Sequence, residues 1–523
     1  MTRASRAAIG LAFVLDLGLR LAVAARPLDR IDGLTVPDDA YLSLSLARAI
    51  ARGDGPRYGF GYTNGFQPLY VFLTAPVFSL LPRETERPVH LALYFLALCD
   101  ALALGVLLRL AWSWSGSRPT VVLLAAAWIS SPYVAATAAN GLETMLATLL
   151  LVASLAAYAM FVAPRPASVT GGRALGLGVL LGVAVLARVD STLLALAIGL
   201  DWLARAACQG RRAVGGAIAS GSVAAGAALA ANLPWLLYSY RYTGALFPVS
   251  GRAVRFLSLD LVSGQPTFEN FYRPMLLGAL RQVGSRGGVF LVAAALLAVV
   301  LLLRTRKRAM EALGPVAGVL GPAALYVALM ILAYAFFIFT PWYYDRYLFP
   351  LSVFCLVACA AVFDRALAVV PPAAGRALAV VLVAAVLAAN LGDGEMASLF
   401  RSDVRHDLGY RELGLWARDN LPRGAIVGAP QSGALGYFAE NLVVVNLDGV
   451  VNAACLEALE QNRVLAYARS VGVEYVLGWH MNVSFLVRHS SDFQPGDLEK
   501  VRKIEELQSW GRDWMVYRLR RGR

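Results

Sequence analysis

The chain has 523 residues, of which 58% are hydrophobic and only 15% charged, and its mean hydropathy is +0.60. Apolar runs of about 20 residues recur along it, which excludes a soluble globule and implies a polytopic α-helical membrane protein. The formal charge of +13 comes almost wholly from arginines clustered between apolar runs, the pattern of cytoplasmic loops rather than of nucleic-acid binding.

The first apolar run, Ala7–Ala25, carries Asp16 and Arg20 at i, i+4, a spacing at which they neutralise each other inside a membrane. It lacks a small-residue cleavage site and reads as a retained span. The loop that follows, 26–87, holds the most informative stretch. Asp38 and Asp39 open the amphipathic run YLSLSLARAI. Carboxylates at that position either cap the helix or do chemistry, one taking a proton from a hydroxyl while its neighbour, or a second carboxylate, helps hold the site or a divalent metal. In YTNGFQ, Asn64 and Gln67 offer hydrogen bonds to a sugar, although Asn-Gly is also an ordinary turn. The segment Phe66–Leu81 is short and interrupted by Pro68 and Pro76. Counting it as a span would send the arginine-rich loops RAACQGRR and RTRKR outward, against the positive-inside bias, so it reads as a juxtamembrane helix.

The remaining runs give about eleven transmembrane helices in all: Pro88–Ala111, Thr120–Ala138, Thr144–Ala163, Ala174–Ala187, Thr192–Ala204, Val214–Tyr238, Gly288–Leu303, Pro315–Phe339, Tyr347–Phe363 and Ala377–Leu391 after the first. Asp100 lies within one of them and needs an interhelical partner. With the N-terminus cytoplasmic, the polar turns all fall on one, extracytoplasmic, face. Glu143 in AANGLET is either a first-turn helix carboxylate or part of a site. Arg188 and Asp190 either pair with each other or offer a cation to a leaving phosphate. In PVSGRAVRF, Arg252 and Arg255 are phosphate candidates, with Ser250 and Gly251 supplying further donors. Arg346 in PWYYDRYLFP opens a span, where snorkelling to the interface competes with a functional role; Trp342, Tyr343, Tyr344 and Tyr347 around it read as an aromatic belt.

From about Ser398 the composition becomes that of a soluble domain, with the helix-like YRELGLWARDNLP and short apolar runs such as AIVGA, LVVVNL and EYVLGW. The domain division is therefore 1–397, a membrane module, and 398–523, a small extracytoplasmic α/β domain. Its Tyr437, Asn446, Asp448 and Asn452 are candidates for a polar groove, or turn residues. The cysteines and the four histidines (His90, His406, His480 and His489) show neither disulfide nor zinc-ligand spacing.

PDDAYLSLSLARAIARGDG followed by YTNGFQPLYVFL resembles the first external loop of the GT-C glycosyltransferases, multi-span enzymes that use polyprenyl-phosphate sugars and include protein O-mannosyltransferases and aminoarabinose transferases. The resemblance continues through NGLETMLATLL, LARVDSTLLAL, ALFPVSGRAVR and DRYLFPL, and SGALGYF and VVNLDGVVN are similar to segments of a bacterial branch of the same superfamily. It implies a GT-C-like fold in a bacterial inner membrane and an inverting glycosyltransferase that moves a sugar from a polyprenyl-phosphate donor to a glycan, lipid or protein hydroxyl. Asp38 then stands at the position of the catalytic base, Asp39 is the adjoining acid, and Glu143 is the second-loop acid. A divalent metal, Mg or Mn, on Asp38 and Glu143 is the cofactor such a site invites. The donor phosphate falls to Arg188, Arg252, Arg255 and Arg346, and the substrates to Asn64, Gln67, Asp190 and Ser250. A lipid-linked sugar transporter is the alternative; it requires ionisable groups near the midplane rather than at one surface. A scaffold with a binding module would be indifferent to loss of the carboxylates.

Overall fold

The structure, a computed structural model, describes residues 3–260, 266–281, 306–338, 344–369, 371–392, 394–401, 409–509 and 512–520. The expected span Gly288–Leu303 and the residues Arg304, Trp342, Tyr343 and His406 lie outside these. Among the described residues, six helices are long and apolar enough to cross a membrane: Ser5–Ala24, Glu86–Ser115, Thr144–Phe161, Arg211–Thr243, Gly318–Ile338 and Ala373–Gly392. The chain is a multi-pass membrane protein. Helices Gly171–Ala187 and Pro68–Leu80 are apolar but shorter.

A further apolar helix pair is broken. Helices Arg118–Ile129 and Pro132–Ala138 meet at 61°, because Pro132 has no N–H to continue the ladder and its ring excludes the preceding turn. Ser131 starts the second arm, its side chain accepting from the Val134 N–H at 3.3 Å. The break leaves the last carbonyls of the first arm short of partners, Trp128 O keeping the Ser131 N–H at 3.3 Å, where lipid offers none. Arg20 supplies them: Nη2 donates to Trp128 O at 3.0 Å and Nη1 to Ile129 O at 3.2 Å. The same guanidinium pairs with Asp100 at 2.7 Å and with Asp16 at 2.8 Å, and Trp128 Nε1 donates to Asp100 at 3.0 Å. The partner that Asp100 requires is therefore the arginine of the first span, which Asp16 shares.

The C-terminal region folds around a five-stranded sheet. Strands β1 (Arg57–Tyr58) and β2 (Gly61–Tyr62) form a small hairpin in the first loop; β3 (Ile426–Ala429), β4 (Val443–Asn446), β5 (Tyr475–Trp479), β6 (Leu498–Ser509) and β7 (Arg512–Leu519) make the sheet, in the order β4-β3-β5-β7-β6. β3 runs parallel to both β4 and β5, with Val427 facing Val444 and Tyr475 in register, whereas β7 is antiparallel to β5 and β6. Parallel neighbours need crossovers, which the helices Gly433–Phe438, Ala453–Glu460 and Val464–Ser470 provide. Val427, Ala429 and Leu477 of this sheet belong to the same continuous apolar core as Tyr41, Tyr70 and Leu93 of the membrane part.

Two acids of the first loop fasten that region. Asp32 accepts from Tyr41 OH at 2.7 Å and from the Arg411 N–H at 3.0 Å, in the first turn of helix Tyr410–Asn420. Asp38 does the same for helix Gly433–Phe438. A carboxylate there satisfies orphan N–H groups and meets the positive end of the dipole. Arg48 and Arg52 pair with Glu440 at 2.5 and 2.6 Å, and Arg411 pairs with Glu86.

Replacing Arg20 by Met takes the cation from two buried carboxylates and a donor from two helix-end carbonyls, a loss expected to cost about 3–5 kcal/mol. Thermal unfolding in detergent measures it, and an unchanged melting temperature would contradict this assignment.

Candidate functional site

The helix Asp38–Ala51 begins directly after Pro37, its N-cap, whose extended backbone (φ −77°, ψ 167°) is the non-helical entry usual at that position. Side chains one residue apart on a helix diverge by about 100°, so the acidic doublet points two ways. Asp38 is buried, and its Oδ2 and Oδ1 accept from the N–H groups of Gly433 and Ala434 at 2.9 and 2.8 Å. Its carboxyl is pushed up to about 7, first by burial, against the pull of those two N–H groups. Asp39 is partly exposed and accepts from Arg346 Nη1 at 2.8 Å.

Asp39 and Arg346 line a cleft together with Glu143, Gln67, Ser250 and Tyr347, and the C-terminal residues Val450 and Val451 form part of its wall. Four separate loops therefore reach one end of the bundle. Glu143 arrives there as the N-cap of the Thr144–Phe161 helix, behind a turn in which Asn140 Oδ1 accepts from the Leu142 N–H at 2.9 Å. Arg346 lies under the phenol of Tyr347, which accepts from its Nη2 at 2.7 Å, with the ring 4.6 Å from the guanidinium. Tyr347 is thus a site residue, a part that its place in an aromatic run did not reveal. A second cavity, lined by Tyr133, Asn140, Thr35, Ser398 and Glu395, shares Leu142 and Arg346 with the cleft.

The other candidates are placed differently. Arg188 is buried and bound to Asp190 on both arms, with Tyr334 OH donating to the same carboxylate at 2.7 Å. It also donates to the carbonyls of Arg346 and Tyr347, each at 3.3 Å. Arg188 and Asp190 therefore hold the Arg346–Tyr347 turn from behind instead of reaching the cleft. Arg252 is exposed and grips Glu460 through Nε at 2.8 Å and through Nη2, and Arg255 is exposed on the same helix. Asn64 is structural: its amide donates to the carbonyls of Ala245 and Phe247 at 3.3 and 3.0 Å, and its Oδ1 accepts from the Val249 N–H at 3.0 Å. That bond places Ser250, the next residue, on the cleft. The pairing of Asp38 with Glu143 on a metal does not fit this geometry, because Asp38 is spent on Gly433 and Ala434 while Glu143 faces the cleft. Among the described residues no group of three His, Cys, Asp or Glu side chains is arranged to hold a metal ion.

Residues 400–517 match the model of a family described as a domain of unknown function (DUF8728). No curated protein matches the chain. Among solved structures, it is similar to ArnT from Cupriavidus metallidurans bound to undecaprenyl phosphate, with 15% identity, coverage of 96% of this chain and 97% of that one, and a TM-score of 0.56. It is also similar to the Archaeoglobus fulgidus oligosaccharyltransferase in the apo form, with 13% identity, coverage of 95% and 73%, and a TM-score of 0.51. The same archaeal enzyme in complex with Zn and sulfate matches with 13% identity, coverage of 90% and 67%, and a TM-score of 0.50. The fold is that of the GT-C membrane proteins.

Asp448, two residues before the cleft wall, is pushed up to about 7 by burial, against hydrogen bonds from Val450 and Asn446 and with the charge of Asp39 adding to the rise. A carboxyl raised in the folded state contributes stability that is complete below its unfolded value and lost as the pH climbs through about 7. The melting temperature is therefore expected to fall between about pH 4 and pH 7, and Asp448→Asn to flatten that fall; an equally steep profile in the variant would contradict the assignment.

Proposed function

We propose that the protein is a glycosyltransferase that takes a sugar from a polyprenyl-phosphate donor and passes it to a hydroxyl outside the cytoplasm. The observation that carries this reading is the Asp39–Arg346 pair in a cleft at one end of a GT-C bundle. Asp39 removes the proton of the acceptor hydroxyl, whose oxygen attacks the anomeric carbon as the bond to the phosphate breaks. The departing polyprenyl phosphate carries the electron pair away, and Arg346 stabilises its charge in a cleft partly shielded from water. Direct displacement inverts the anomeric centre. The lipid keeps the donor at the membrane, so no nucleotide-binding domain is needed.

Within this scheme the base is Asp39 instead of Asp38, and the phosphate ligand is Arg346. Arg188 and Asp190 support the turn that presents it. Glu143, Gln67 and Ser250 face the sugar and acceptor. Each described step is carried by this chain's own residues, without a metal. The acceptor, whether glycan, lipid or protein, meets the Val450–Val451 wall. The orientation that fits the arginine-rich loops places this end, and the C-terminal region, outside a bacterial inner membrane. A transporter is less well supported: Asp16, Arg20 and Asp100 lie within the bundle as one would require, but they are fully buried and bound to one another and to a helix break.

Reconstituted with undecaprenyl-phosphate hexoses and a panel of hydroxyl acceptors, Asp39→Asn should lower kcat by about 10²–10⁴-fold, and wild-type turnover would overturn the reading. Arg346→Ala should lower kcat by about 10²–10³-fold, with Arg346→Lys retaining part of the rate because charge survives without the planar fork. Equal rates for Arg346→Ala and wild type would remove Arg346 from the site.

A further inference from the structure

The carboxylate that the mechanism leaves unused is the most firmly held of the pair. Asp38 is bound by two N–H groups of a segment 395 residues away in sequence, and its own carbonyl lies so close to Gly433 that a Cβ there would sit 2.0 Å from it. Similar backbone approaches recur along the same seam. A Cβ on Gly65 would come within 2.1 Å of Val450 O, and one on Gly59 within 2.8 Å of Val444 O; the neighbouring Tyr58 hydroxyl donates to Ser432 O at 2.5 Å. Three such contacts, well separated along both segments, fix the relative orientation of two bodies, and side chains cannot be inserted between them without displacing backbone. The turn so fixed runs from Asn446 to Val451. It is internally braced, with Gly449 N–H on Asn446 Oδ1 at 3.0 Å and Asn452 on Asn446 O at 2.9 Å, and it ends in the two valines that wall the cleft.

We propose that Asp38 is a positioning residue that makes the catalytic site composite: by binding the Gly433 and Ala434 N–H groups it locks the C-terminal turn onto the first loop and rotates Asp39 into the cleft. This rests on the reading of Asp39 as the base. The helix geometry gives the coupling its direction. With Asp38 pinned at the helix start, the neighbouring side chain is thrown about 100° round the axis, to the side where Arg346 waits. Releasing Asp38 frees the first turn of the helix to rotate and lifts the valine wall from the cleft at the same time. A displacement of about 1 Å between base and acceptor is enough to cost about 10²-fold in rate. The C-terminal region is then a working part of the site and not an appended module.

The test combines amide hydrogen exchange with turnover of undecaprenyl-phosphate hexoses in the full-length protein. In Asp38→Asn the Gly433–Phe438 amides should lose protection and kcat should fall by about 10-fold or more, with the donor KM changed by less than about threefold. Gly433→Ala, whose Cβ would push the Asp38 backbone away from the other side while every carboxylate is kept, should do the same. Asp39→Asn should lose turnover with the amide protection intact. Wild-type kcat in Asp38→Asn despite lost protection would overturn the proposal, as would abolished turnover with protection retained, which would make Asp38 the reacting group. Full activity in Asp39→Asn would instead sink the assignment of the base, and this inference with it.

Discussion

Everything at the working end of this molecule depends on two carboxylates of one loop being used as helix caps for another part of the chain. Asp32 and Asp38 bind the first turns of two C-terminal helices, so the loop's negative charge is met by N–H groups and helix dipoles rather than by cations. This leaves the cations available elsewhere. Arg346 is held for Asp39, and Arg48 and Arg52 are held for Glu440. The arrangement also explains why the apolar core runs without interruption from the membrane helices into the sheet.

A second economy lies inside the bilayer. The break at Pro132 lets the chain turn and deliver Glu143 to the cleft and Tyr133 and Asn140 to the cavity beside it, but it leaves carbonyls short of partners in a medium without hydrogen-bond donors. Arg20 covers them, and Asp16 and Asp100 balance its charge. Buried ions of this kind add little net stability compared with a well-packed apolar replacement, yet removing one member is costly. Their use is to let an apolar segment of the bundle bend at Pro132.

Much of this was legible in the sequence because it depends on local pattern. Apolar runs marked the helices, the pair Asp16–Arg20 could be read from its i, i+4 spacing, and the polar turns that carry Asp39, Glu143, Ser250 and Arg346 do meet at one end. The order of short motifs pointed to the GT-C fold that the solved structures share. What could not be read was the direction of each side chain. Which of Asp38 and Asp39 faces the cleft is set by Gly433 and Ala434, nearly 400 residues away. Arg188 looked equivalent to Arg346 as a cation at a span end, but Asp190 and Tyr334 saturate it. Arg252 is claimed by Glu460 and Asn64 by a backbone loop. Tyr347 was hidden in an aromatic run whose composition matches an interfacial belt. In each case a distant partner decides, and such partners leave no mark on the local pattern.

The central claim is that Arg346 receives the phosphate of a polyprenyl donor beside Asp39. Determining the structure with undecaprenyl phosphate bound tests it most directly. The account predicts the phosphate within hydrogen-bonding distance of the Arg346 guanidinium, with Asp39 and Glu143 facing the adjoining space. A phosphate bound at the opposite end of the bundle, or away from Arg346, would contradict it.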